Sequence, residues 1–103
     1  MHIIPLTGLL SFAVEQEEKG LRLIVFKGDD ELVCHKANHS ELIRFIKADT
    51  GHLFKGRLQL DKKNDYVIIN VKGSTAGIIS LTDFNRQINC SEKPQQITQY
   101  RSA

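Results

Sequence analysis

Ser40-Glu41-Leu42-Ile43-Arg44-Phe45-Ile46 and Thr82-Asp83-Phe84-Asn85-Arg86-Gln87-Ile88 carry one pattern twice: hydroxyl, acid, apolar, any residue, Arg, any residue, Ile. Each follows an apolar run ending in Lys-Gly. The first is Leu23-Ile24-Val25-Phe26-Lys27-Gly28 and the second Ile68-Ile69-Asn70-Val71-Lys72-Gly73. The Lys-Gly pairs are 45 positions apart (72 − 27) and the helix-start patterns 42 (82 − 40). A change of loop length in one copy gives such a difference. The echo predicts two copies of a strand-rich unit, each closed by a helix.

Working outward, Leu10–Gln16 alternates apolar with small or polar residues, the period of a half-buried strand. Leu21–Phe26 is β-branched and aromatic and apolar on both faces in its second half, and Glu31–His35 is a short third strand. Residues 38–48 read as a helix: Asn38 with Glu41 has capping-box spacing, Leu42, Ile43, Phe45 and Ile46 form one apolar face, and Gly51 closes it in the left-handed conformation. The second unit repeats the order. Phe54–Leu60 alternates, Asp61–Asp65 is a polar turn, Tyr66–Val71 and Ala76–Leu81 are strands, and Thr82 caps a helix. The prediction is an α+β fold over residues 1–90. It has an antiparallel sheet of about six strands, arranged as two pseudo-repeated strand-strand-strand-helix units at 8–50 and 52–90 about a pseudo-twofold axis. Residues 91–103 lack a clear period and are expected to be a flexible tail, with Ile97 and Tyr100 as the residues a partner would anchor.

Composition agrees with one globular domain: 103 residues, 41% hydrophobic and 25% charged. No apolar run approaches the ~20 residues of a membrane helix. Met1–Leu6 is apolar but lacks a basic lead and a small-residue cleavage site, so it reads as an opening strand. With two distant cysteines, Cys34 and Cys90, the expectation is free thiols and a cytoplasmic location. Net charge is +2, unevenly split: residues 1–50 hold six Lys/Arg against eight Asp/Glu, residues 51–103 eight against four.

No constellation carries catalysis. Cys34, His35, His39 and His52 would need a tertiary coincidence to share a metal, because the strand-to-helix boundary separates His35 from His39 and removes the meaning of their spacing. Adjacent strand residues point to opposite faces, so Cys34 and His35 do not form a nucleophile and base. The carboxylates Glu15, Glu17, Glu18, Asp29, Asp30 and Glu31 fall at hairpin tips. Gly73–Gly77 joins two strands and lacks the helix start of a phosphate loop. The chain is expected to be no enzyme and to need no metal or cofactor.

The main expectation is a non-catalytic interaction module. Strands apolar on both faces leave one face for a partner, most simply a second copy in a homodimer. The alternative is a single-stranded nucleic-acid binder. Lys55, Arg57 and Gln59 lie on one face of the predicted fourth strand, Lys62 and Lys63 on the following turn, and Lys72 ends the next strand. Tyr66 supplies a ring beside these cations.

Gly77-Ile78-Ile79-Ser80-Leu81-Thr82-Asp83-Phe84, a strand running into a capped helix, resembles the end of Whirly and related single-strand-binding modules. The repeated strand-then-helix layout is similar to PUR repeats. The resemblance covers residues 77–88 in letters and implies antiparallel sheets, each with a helix, dimerising to form a nucleic-acid surface. Those families have four strands per unit where three are read here, and no site residue is transferred from them.

Overall fold

The chain passes through four strands and a helix, then through four strands and a helix again. The computed structural model describes residues 2–92, with side chains through Asn89. The first unit is β1 (Ile3–Pro5), β2 (Leu10–Glu17), β3 (Gly20–Lys27), β4 (Asp30–Ala37) and α1 (His39–Lys47). The second is β5 (Thr50–Leu53), β6 (Leu58–Lys63), β7 (Tyr66–Val71), β8 (Ser74–Ser80) and α2 (Leu81–Glu92). Each set of four strands forms its own antiparallel sheet in sequence order, sheet A from β1 to β4 and sheet B from β5 to β8.

The α+β class is as expected, and the sheet count is corrected: two sheets of four strands replace one of about six. Each unit gains a short edge strand: the opening strand expected at Met1–Leu6 is β1, and β5 is the unexpected one. Pairing of Ile4 with Phe12 brings the opening segment into sheet A. Thr50–Leu53, which looked like the end of a helix, pairs with β6. Gly51 lies in this strand against the Phe45 ring and takes no positive φ. The tail boundary also moves. Ser91 and Glu92 belong to α2, and residues 93–103 lie outside the described residues.

Alternation sets which residues enter the core. Phe12 and Val14 on β2, Leu23 and Val25 on β3, Leu58 and Leu60 on β6, and Val67 and Ile69 on β7 project to one cluster with Leu42 and Phe45 of α1 and Phe84 and Ile88 of α2. Both units contribute to it. The Phe84 ring stacks on Phe12 with centroids 6.1 Å apart and meets Phe45 edge-on at 5.9 Å. The helix of the second unit is thereby locked to the first sheet and the first helix.

Loops add reciprocal contacts between the units. After β1, Leu6 packs so closely on Gly77 of β8 that a Cβ there would lie 2.8 Å from its side chain. Thr7 donates to the Ala76 carbonyl from both its amide (3.1 Å) and its hydroxyl (2.7 Å). After β5, Phe54 stacks on His35 of β4 with centroids 3.8 Å apart. Phe54 takes φ 72°, a left-handed conformation costly for a bulky residue. Each unit thus covers the last strand of the other with the residue that follows its own first strand.

The helix starts follow local chemistry. Asn38 caps α1, its side-chain oxygen accepting from the Glu41 amide at 2.7 Å. For α2 the cap is Ser80, whose hydroxyl accepts from the Asp83 amide at 3.1 Å, rather than Thr82. The Lys-Gly echo marks equivalent hairpins. Gly28 takes φ 62° between β3 and β4, while Lys72 and Gly73 take 53° and 85° between β7 and β8.

The doubly apolar β3 does not leave its second face bare. Ile24, directed away from the main core, is only 1% exposed. Arg22 reaches from opposite Glu15 to Glu31, which pairs with Phe26, and so runs along β3 past Ile24. An arginine stem lying over an aliphatic residue shields it while keeping the charge at the surface.

Candidate functional site

Sheet B turns one face to the core and the other outward. Alternate residues carry the outward face: His52 on β5, Gln59, Asp61 and Lys63 on β6, Tyr66, Ile68 and Asn70 on β7, and Thr75 and Ile78 on β8. Ile78 is 61% and Tyr66 38% exposed. Ile68 pairs with Ile78 across the strands, leaving a small apolar strip beside the Tyr66 ring.

The predicted basic set is divided by the fold. Lys55 and Arg57 lie in the loop before β6 and Lys72 in the β7–β8 turn, where its amide bonds to the Arg57 carbonyl at 2.7 Å. Lys63 pairs with Tyr66 at the opposite end of β6. Six residues of extended chain place Arg57 and Lys63 up to about 20 Å apart. All four cations are exposed, and among the described residues none of their side chains has an ion-pair partner.

Lys62 does not share this face. Its strand continues through the expected turn, and the actual turn is Asn64-Asp65, with Asn64 at φ 50°. Lys62 therefore projects inward with Leu58 and Leu60 and is 3% exposed. Its ammonium donates to the Ala48 carbonyl, to the Asn64 carbonyl at 2.7 Å and, more loosely, to the Asp49 carbonyl at 3.4 Å. Ala48 is the C-cap of α1, so the charge sits at the negative end of that helix and ties it to the β6–β7 hairpin. Three donors meet three acceptors. The alternation Leu58, Leu60, Lys62 contained the signal for this placement.

Across the outward face runs a chain of side-chain hydrogen bonds touching all four strands. His52 Nδ1 lies 2.6 Å from Asp61 Oδ1, Asn70 Nδ2 donates to Asp61 Oδ2 at 2.8 Å, and Thr75 Oγ1 donates to Asn70 Oδ1 at 3.1 Å. Both oxygens of the one acid at the centre of the face are engaged. The four residues lie on four strands, and no local motif announces them.

Sheet A differs in charge state. Arg22 pairs with Glu15 at 3.0 Å and with Glu31, and Lys36 with Glu17 at 3.8 Å. The pairing with Glu31, then Glu15, raises the pKa of Arg22 further, and Arg22 holds the Glu31 carboxyl below its usual value. A depressed folded-state pKa stabilises the fold above the unfolded-state value, about 4.3 for glutamate, and that contribution is lost as pH falls through the folded value. Glu31→Gln is therefore expected to melt below the wild type at neutral pH and to converge with it in acid, as followed by circular dichroism. A difference independent of pH would remove Glu31 from the acid response.

The Cys34, His35, His39 and His52 set is not assembled. Cys34 is a free, exposed thiol, not the buried small residue expected of an inert cysteine, and His35 stacks on Phe54. Among the described residues no group of three or more His, Cys, Asp or Glu side chains is placed to hold a metal. An open cleft lined by Glu17, Lys19, Lys36, Asn38 and Glu41 lies away from the sheet B face, at the other unit's β2–β3 turn. Also among the described residues, no helix is long and apolar enough to cross a membrane. Comparison with protein-family models, curated proteins and solved structures finds no match to this chain.

Proposed function

We propose that the protein binds single-stranded nucleic acid on the outward face of sheet B, without catalysing a reaction. The observation that carries this is the contrast between two sheets of the same topology. On sheet A, Arg22 and Lys36 are paired with carboxylates, and among the described residues only Lys27, at the end of β3, is a strand cation without one. Around sheet B, Lys55, Arg57, Lys63 and Lys72 have no carboxylate partner among the described residues and border a face that exposes Tyr66 and Ile78 beside the half-buried Ile68. Free cations follow a phosphate backbone and a tyrosine ring stacks on a base, a sequence-tolerant way to hold a single strand. Four strands and a helix per unit is also the strand number that the resemblance of residues 77–88 to Whirly-like modules, and of the repeated layout to PUR repeats, implies. A cytoplasmic setting belongs to the proposal and rests on the exposed free thiol of Cys34.

A second reading, a protein-interaction module forming a homodimer, is favoured by the exposure of Ile78 beside Ile68 on the edge strand β8. Its case is weaker for sheet A, whose Ile24 is covered within the chain. One titration separates the two. Amide resonances of an isotope-labelled sample, followed as a single-stranded oligonucleotide is added, are expected to move at Gln59, Lys63, Tyr66 and Asn70 and to stay at Glu15, Arg22 and Lys36. Shifts around Ile68 and Ile78 that depend on protein concentration alone would favour the homodimer. Shifts confined to sheet A would contradict the proposed face.

A further inference from the structure

We infer that His52 contacts a base of the bound strand and that Asp61, Asn70 and Thr75 are its positioning residues, an assignment that rests on the nucleic-acid reading above. The hydrogen-bond chain has one direction. A carboxylate only accepts, so His52 donates from Nδ1 to Asp61 Oδ1 and Asn70 donates from Nδ2 to Asp61 Oδ2. The Asn70 amide is thereby oriented with its oxygen toward the Thr75 hydroxyl, which donates to it. With the proton fixed on Nδ1, a neutral imidazole keeps Nε2 as a lone-pair acceptor. The side chain is 47% exposed, and among the described residues nothing else bonds the ring.

That remaining atom selects its ligand. Phosphate diester oxygens carry no hydrogen to give, whereas every nucleobase offers an N–H on an edge that is open in a single strand. His52 shares a cross-strand row with Asp61, Ile68 and Ile78, about 14 Å wide from first to fourth strand. The free cations lie at the ends of the sheet and this row lies between them, so phosphates at the margins leave bases over the middle. Both Asp61 oxygens are held by His52 and Asn70, so its carboxylate stays in the middle row, away from phosphates at the margins. A histidine locked in one tautomer by a second residue is pre-organised, which reduces the ordering cost of binding.

The test is fluorescence anisotropy over a range of salt, with the wild type, His52→Ala, Asn70→Ala and Arg57→Ala. The probes are a mixed-sequence single-stranded oligonucleotide of about twelve residues and an abasic deoxyribose-phosphate strand of the same length. His52→Ala is expected to weaken binding to the base-bearing strand about three- to ten-fold at every salt concentration, with no change on the abasic strand and none in melting temperature. Asn70→Ala is expected to give a smaller loss of the same kind. Arg57→Ala should weaken both strands and flatten the salt dependence. An equal loss on both strands for His52→Ala, or none on either, would overturn the assignment while leaving the nucleic-acid reading in place. If the wild type binds neither strand, that reading falls and this inference with it.

Discussion

Phe84→Ala is expected to lower stability by about 3–5 kcal/mol, the largest effect of any single substitution considered. The side chain is completely buried, and its ring touches Phe12 of sheet A and Phe45 of α1. Truncation removes the transfer free energy of the ring and leaves a cavity where α2, β2 and α1 meet. For a chain of this size the melting temperature falls by about 4–8 °C per kcal/mol, so the change is read directly by calorimetry. Phe84→Leu, which refills much of the volume, should recover a substantial part. Since Phe84 belongs to the second unit and Phe12 to the first, unfolding should remain one transition. Two separate transitions, or a loss below about 1 kcal/mol, would show that the units do not share their core in the way described.

Lys62→Met carries the second large effect, about 1–3 kcal/mol. Methionine keeps the length of the stem but offers no donors to the Ala48, Asp49 and Asn64 carbonyls. The end of α1 and the start of the β6–β7 turn would lose their common tie. Native-state hydrogen exchange should show the change first in residues 48–50 and 63–65. The folded variant should hold single-stranded nucleic acid as well as the wild type does, because Lys62 is turned away from the outward face. Lys63→Ala is expected to behave in the opposite way, with unchanged stability and weaker binding. A Lys62→Met protein of wild-type stability would contradict the stabilising role of these three hydrogen bonds.

Local signals in the sequence carried part of this fold. Residues 38–48 announced α1 because an asparagine cap and a broad apolar face are both written within one helical turn or two. The Lys-Gly echo located both hairpins into the last strands. The edge strands were less legible. β5 is four residues long, contains Gly51 and follows directly on a helix end, so its alternation is too short to outweigh the resemblance to a helix stop. The apolar character of Phe54 fits the strand alternation, but the structure uses it in a loop at φ 72° to cover the other unit. The charge of its neighbours suggests a turn at Lys62, although its parity with Leu58 and Leu60 points inward. Of the candidate site, the exposed cations and Tyr66 were named from sequence. The His52-Asp61-Asn70-Thr75 chain was not, since it depends on the register of four strands and appears in no local spacing.

The most direct measurement of the central claim is the salt dependence of binding to a single-stranded oligonucleotide for the wild type and for Arg57→Ala/Lys63→Ala, with melting temperatures recorded alongside. Each phosphate contact on a single strand contributes about 0.7 to the slope of log affinity against log salt. Loss of both cations should therefore flatten that slope by about 1.4 while the melting temperature stays unchanged. Binding that is insensitive to salt, or a double variant with the wild-type slope and affinity, would contradict the assignment of the sheet B face.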